Sequence, residues 1–351
     1  MINLPLLKRQ ILRLVAGTKG YEELCDRQWV LHPGEQLFAP AAIYQPGALD
    51  HVTGVQAETT LDLEIERIQG GMRTHGATTA YQFRDVQIRQ GYLYTRSLRQ
   101  TFSTRPESWW QSGPITAIAE AALASTQFGA RYFGHLLLDD VPLAMVAQQV
   151  APAITVIPPP NEQFREYTTL FEIPTRFVLN ANCQRLTLIN DIGQNRFKRD
   201  RLRQLRSHLQ PLATPNRPRG VMLLRGQSGS QRSLVNEAEV IRWLQAQGFV
   251  CLMPETLSVT ELLRQTLGAR IIIGVEGSQL AHGVYSLAAG GVMCALQPPY
   301  RFNNVFKDYL DCIDQDLRYA FVVGRPVDAG FVIDLNDLAR TLEVIEQVLT
   351  C

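Results

Sequence analysis

The chain has 351 residues, 46% hydrophobic and 19% charged, ordinary globular values for a length that accommodates two cores. Lys and Arg number 34 against 33 Asp and Glu, so a net charge of +1 gives no global drive toward nucleic acid. The six cysteines (Cys25, Cys183, Cys251, Cys294, Cys312 and Cys351) include no Cys-x-x-Cys and no metal-ligand spacing, which excludes a zinc module and fits a reducing cytoplasm better than a secreted disulfide scaffold.

No apolar run is long enough to span a bilayer. Lys8, Arg9 and Arg13 interrupt the N-terminal stretch MINLPLLKRQILRLVAGTKG, which makes it a poor signal peptide. It reads as an amphipathic helix that packs on a domain, with peripheral seating on a membrane surface as the alternative. QWVLHP, LDLEIERI and FRDVQIRQGYLYT are predicted strands, the last two with partial alternation. PESWWQSGP is a loop whose Trp109 and Trp110 suit either packing or stacking on a sugar. Helices are expected over 115–125 and 135–149, and short strands in AITVIPPP, FVLN and RLTLI.

Residues 195–209 form a basic amphipathic helix carrying Arg196, Lys198, Arg199, Arg201, Arg203 and Arg206. Its charges suit either a solvated face or attraction of an anionic acceptor or membrane surface. The proline-rich PLATPNRPRG follows, so the domain boundary is placed there, dividing the chain into 1–210 and 211–351.

Residues 220–299 are the most regular. VMLLR is a strand ending on Arg225, and the polar loop GQSGSQRS brings Arg232. A helix stops at Gly248, FVCLM is a strand, SVTELLRQTL a helix and RIIIGV a strand. EGSQLAHGVYSLAAGG makes a turn and a helix before VMCALQPP. Short apolar strands alternating with helices describe a doubly wound parallel sheet. Ligands of such sheets sit at the carboxyl ends of strands. Two guanidinium groups and the backbone N–H groups of Gly277, Ser278 and Gln279 at a helix start suit a pyrophosphate there. His282, further along that helix, is a further candidate for phosphate contact. GQSGSQRS lacks the Gly-Lys-Ser/Thr of a P-loop and the Gly-x-Gly-x-x-Gly of dinucleotide enzymes. RYAFVVG and a helix over 335–349 end the chain.

At these residues the chain resembles family 61 glycosyltransferases. That family has a strand ending in Ser-Arg, a basic loop, then Arg-x-x-x-Asn-Glu; here Arg225, Arg232, Asn236 and Glu237 occupy those places. Gly248, Phe249, Pro254 and Glu255 also match. In the family's His-Gly-Ala-Gly-Leu turn, Gly277 and Leu280 fit, while Glu276 stands for the His and Gln279 for the second Gly. Upstream, His135, Asp139 and Pro142 fall on the family's spacing, with Tyr132 where Asn is usual. The resemblance covers roughly residues 130 to 325.

The resemblance implies two Rossmann-like domains of the GT-B type, with the donor nucleotide sugar, UDP-linked, on the C-terminal domain and a glycan or polysaccharide acceptor on the N-terminal one. It also implies inversion, which requires a general base. His135 and Asp139, one helical turn apart, and Glu276 compete for that role. No metal and no cofactor beyond the substrate are expected, because cations and backbone donors surround the leaving group. The alternative to an enzyme is a glycan-binding or assembly subunit with a degenerate transferase fold.

Overall fold

A computed structural model of the chain describes residues 20–95, 98–110, 113–215, 218–226 and 232–350. The expected N-terminal amphipathic helix and most of the GQSGSQRS loop lie outside those residues. Among the described residues, no helix is long and apolar enough to cross a membrane. The chain forms two compact units: Met1–Glu35 with His75–Arg201, and Gln36–Thr74 with Leu202–Cys351. This differs from a single cut at 210. Residues 36–74 pack with the C-terminal half, and the first unit gives way to the second inside the Arg196–Leu209 helix.

The first unit holds an eight-stranded mixed sheet. Its order is Leu98–Thr101, Tyr92–Thr95, Thr78–Arg89, Asn180–Asn190, Thr116–Leu123, Ala153–Thr155, Arg176–Phe177, with Arg27–His32 also pairing with Thr78–Arg89. The pairs around Thr78–Arg89 are antiparallel. From Asn180–Asn190 through Thr116–Leu123 and Ala153–Thr155 to Arg176–Phe177 they are parallel. Phe83, Ile88, Leu123, Leu136, Ile154 and Leu186 are among the side chains that build its core.

Thr116–Leu123 was expected as a helix and is a strand. TAIAEAAL has helical propensity through its alanines, but in the fold it is a central strand with Ala121 and Ala122 fully buried. Tertiary pairing overrides a weak local preference. The opposite correction applies in the second unit, where Leu61–Gln69 is a helix, not a strand. Leu61, Ile65 and Ile68 also satisfy the helical period. Thr60 caps the first turn by accepting from the Leu63 N–H at 3.3 Å. Glu64 then faces inward, where its carboxylate accepts from Thr59 Oγ1 at 2.8 Å and from the Asn304 amide N at 2.6 Å.

The second unit is built on a five-stranded, wholly parallel sheet in the order Phe249–Leu252, Gly220–Leu223, Ala269–Val275, Leu287–Gln297, Arg318–Val323. In order of sequence this is 2-1-3-4-5, a doubly wound arrangement. Helices Glu237–Ala246, Val259–Thr266, Leu280–Ser286 and Val305–Ile313 occupy the connections. Ser258 opens Val259–Thr266 with a reciprocal capping box to Glu261, and Gly248, at φ +82°, follows the end of Glu237–Ala246. The terminal helix runs Leu335–Thr350.

The basic helix Arg196–Leu209 is solvated only in part: Arg196 and Arg203 are exposed, while others of its charges turn inward. Lys198 and Arg201 are buried in the first unit. Arg201 forks onto Asp191 with two bonds of 2.8 Å. In the second unit Arg203 donates to the Ile313 carbonyl at 2.7 Å and Arg206 to the Leu287 carbonyl. Its charges are used to satisfy buried carbonyls and carboxylates.

Candidate active site

In the second unit, the order in which successive strands are added reverses between Gly220–Leu223 and Ala269–Val275, the switch point where the crevice at strand carboxyl ends takes ligands. Arg225 follows the first of these strands and Glu276 ends the other. Arg301 follows the neighbouring Leu287–Gln297 strand after Pro298, Pro299 and Tyr300.

These side chains meet. Arg232 Nη1 lies 3.1 Å from Glu276 Oε2 and also donates to the Glu276 carbonyl. Arg301 Nε stands 3.8 Å from the same carboxylate oxygen. Arg225 Nη1 donates to Gln279 Oε1 at 3.2 Å, and Gln279 Nε2 is anchored on the Val275 carbonyl. Gly277 lies under all of this. A Cβ there would collide with the Arg225 guanidinium and come within 2.6 Å of both Arg232 Nη1 and Gln279 Oε1. Glycine is what lets the guanidinium groups close over the turn. Gly226 does the same for Glu255, whose carboxylate occupies the space a side chain would need.

Burial pushes the Glu276 carboxyl above its usual range, while Arg232, Arg301 and Arg225 pull it back without cancelling the rise. Burial lowers Arg225, an effect Glu276 and Glu255 oppose and Arg301 reinforces. The cluster therefore places three cations around one reluctant carboxylate.

The turn after Glu276 uses its own bonds to start the helix: Leu280, Ala281 and His282 N–H groups donate back to Gly277, Ser278 and Gln279 carbonyls. Among the described residues, no backbone carbonyl accepts from the N–H groups of Gly277, Ser278 or Gln279. The helix that follows, Leu280–Ser286, has only seven residues, so side-chain guanidinium groups dominate the local charge. His282 is 2% exposed and burial drives it down to about 4, which keeps the ring neutral in the core. Asn236 braces the frame: its side chain donates to the Ile333 carbonyl at 2.9 Å and accepts from the Ile333 N–H at 3.0 Å.

In the first unit, His135 ends the short helix Phe133–His135, and a π-helical turn over Leu136–Asp140 leads into Val141–Val150. Such widened turns recur at functional sites. His135 Nδ1 and Asp139 Oδ2 are 2.8 Å apart. The ring packs near Phe128 and Tyr132, at centroid distances of 5.2 and 5.8 Å, and keeps 23% of its side chain exposed. The other carboxylate oxygen of Asp139 receives Lys198 Nζ at 2.5 Å. Burial alone would raise the Asp139 carboxyl, but Lys198 and His135 overcome it and hold it well below the usual range.

Asp140, next in sequence, is in the opposite state. Burial pushes it well above the ordinary carboxylate range against the pull of the Thr126 N–H, which donates to its Oδ1 at 3.0 Å. Gly129 leaves it room. Two neighbouring carboxyls are thus shifted in opposite directions, one by charge partners and one by burial.

His135 and Asp139 thus come together in one unit, and Arg225, Arg232, Glu276, Gly277 and Gln279 in the other. Ser278 is half-buried in the same turn, and His282 points into the core. Sequence reasoning missed Arg301, the buried and raised carboxyl of Asp140, and Lys198 as a partner of Asp139. For Arg301 a signal existed in QPPYR, a strand ended by two prolines at the ligand-binding edge of the sheet. For Lys198 none did, because 59 residues separate it from Asp139.

Residues 133–294, a little under half of the chain, match the model of the family described as Glycosyltransferase 61. The match opens on the helix of His135 and runs past the Glu276 turn into the next strand, so it takes in His135, Asp139, Arg225, Arg232 and Glu276 but ends before Arg301. On that match the protein is a glycosyltransferase. A search of curated proteins found no matching relative.

Proposed function

We propose that this glycosyltransferase transfers a sugar from a UDP-linked donor to a hydroxyl of a glycan or polysaccharide, inverting the anomeric centre and using no metal. The observation that carries the reading is the convergence of Arg225 and Arg232 over Gly277, with Arg301 beside the Glu276 carboxylate, at the switch point of a parallel sheet. As the glycosidic bond breaks, negative charge builds on the departing diphosphate. Fixed guanidinium groups in a water-poor site stabilise that charge without reorganising.

In a GT-B-type division of labour, the five-stranded unit takes the donor and the mixed-sheet unit takes the acceptor. The base is His135. Asp139 accepts from its Nδ1–H, which makes Nε2 the nitrogen with the lone pair. Nε2 takes the proton of the acceptor hydroxyl as that oxygen attacks the anomeric carbon, and the bond to the diphosphate breaks with its electron pair leaving on the phosphate. Glu276 serves the donor side by orienting Arg232. The thiols at Cys25, Cys183, Cys251, Cys294 and Cys312 agree with work in the cytoplasm, including at the inner face of its membrane.

The test is a panel of UDP-sugars incubated with glycan acceptors, with product linkage read by proton NMR. A β-linked product from an α-linked donor is expected. A product that keeps the donor's anomeric configuration would sink the single-displacement mechanism, and absence of binding to any uridine diphosphate would sink the donor assignment.

A further inference from the structure

We propose that Lys198 is a positioning residue for the reaction, acting on His135 through Asp139. The inference rests on the reading of His135 as the base. The two oxygens of Asp139 face different groups: Oδ2 faces His135 Nδ1 at 2.8 Å, and Oδ1 receives Lys198 Nζ at 2.5 Å. By occupying Oδ1, the ammonium leaves the carboxylate one orientation, with Oδ2 on the imidazole. That selects the Nδ1–H tautomer and aims the ring.

The lysine is itself held from several sides. Its side chain is 1% exposed, and Nζ also donates to the Asp191 carbonyl at 3.2 Å. Its own N–H is capped by Asn195 Oδ1 at 3.1 Å, and Asn195 Nδ2 reaches Thr78 Oγ1 at 3.3 Å. Thr78 Oγ1 donates to Asp191 Oδ1 at 2.8 Å, and Arg201 forks onto the same carboxylate while donating to the Pro142 carbonyl at 2.9 Å. Burying an ammonium is expensive unless its partners are fixed. Here the Arg196–Leu209 helix, the Thr78–Arg89 strand and the end of the Asn180–Asn190 strand fix them.

Charged and titratable groups facing the pair include Lys198 from the basic helix, Asp191 backed by Arg201 beyond the Asn180–Asn190 strand, and Asp140 and Tyr132 from the histidine's own segment. Lys198 is a cation that meets the Asp139 anion directly. With it, the carboxylate is a compensated anion whose other oxygen orients the imidazole. Without it, an uncompensated anion would retain the proton, and the neutral, proton-accepting ring would appear only at higher pH.

The test compares wild type, Lys198→Met, Lys198→Arg and His135→Ala in pH profiles of kcat at saturating donor and acceptor, with UDP affinity measured in parallel. In Lys198→Met the acid limb should move up by about one pH unit or more, the scale of a neighbouring charge, and kcat at neutral pH should fall about tenfold with UDP affinity unchanged. Lys198→Arg should return the limb toward the wild-type position. Nitrogen-15 shifts should report loss of the single Nδ1–H tautomer in Lys198→Met. If His135→Ala is inactive but Lys198→Met keeps the wild-type limb and tautomer, the inference fails and the base assignment stands. Full turnover in His135→Ala would overturn the base assignment itself. If Lys198→Met does not fold, a wild-type limb in Lys198→Gln would overturn the proposal in the same way.

Discussion

His135 Nδ1 and Asp139 Oδ2 face each other at 2.8 Å across a π-helical turn, and the aspartate is held ionised from its other side by a lysine remote in sequence. The pair belongs to one compact unit, whereas the arginine cluster around Gly277 belongs to the other. The chemistry assigned to each can accordingly be tested separately.

His135→Ala and Asp139→Asn should lower kcat by about a hundredfold or more, the usual contribution of a positioned base. UDP affinity should stay within about twofold of wild type in both, because a base acts on the acceptor hydroxyl in the transition state. Steady-state kinetics with parallel calorimetry checks this, and wild-type kcat in both variants would move the base elsewhere.

Arg225→Ala should weaken UDP by about 1.5–3 kcal/mol, the range for a hydrogen bond to a charged group, or roughly 10- to 150-fold in Kd. Arg301→Ala should weaken it in the same direction. Titration calorimetry on folded variants decides; unchanged affinity in Arg225→Ala would remove the diphosphate from this turn.

Glu276→Ala leaves Arg232 buried without its carboxylate, and breaking such a pair costs about 3–5 kcal/mol of stability. Glu276→Gln keeps the shape and a hydrogen-bond acceptor and should cost less. Urea unfolding ranks the two. Equal, wild-type-like midpoints would mean that the Arg232–Glu276 contact contributes nothing to the native state.

Asp139 and Asp140 should respond to pH with opposite signs. Asp139 is held below its unfolded value, so its stabilising contribution is present above the ordinary carboxylate range and is lost as pH falls through the depressed native value. Asp140 is raised, so its contribution is full below the unfolded value and is lost as pH rises through the native one. The deficit of Asp139→Asn relative to wild type should therefore shrink toward acid pH. Asp140→Asn should gain on wild type as pH rises above the ordinary carboxylate range. Thermal melts across pH check both, and parallel curves for the two variants would contradict the assigned charge states.

If, as proposed, the guanidinium groups of Arg225, Arg232 and Arg301 supply the positive charge to the leaving diphosphate, transfer should survive EDTA. Complete loss of transfer on chelation, restored by Mg²⁺ or Mn²⁺, would show that a divalent cation supplies it instead.

The sequence by itself determined the alternation of the second unit. Runs such as IIIGV are apolar at every position, as strands covered on both faces must be, and Ser258 and Gly248 punctuate the helices between them. It also placed Arg225 and Glu276 at strand ends and set His135 and Asp139 one turn apart, because these are local spacings. Tertiary structure decided what local spacing leaves open. Leu61–Gln69 satisfies two periods at once, and only its cap and the inward Glu64 select a helix. Thr116–Leu123 is alanine-rich, and only strands on both sides make it a strand. The charges of Arg196–Leu209 looked like a surface. Lys198 and Arg201 became interior groups because carboxylates and carbonyls far away in the chain fold onto them. Desolvation then separated Asp139 from Asp140, neighbours that the sequence leaves equivalent: a buried charge persists only where an opposite charge meets it, and Lys198 reaches the first of them.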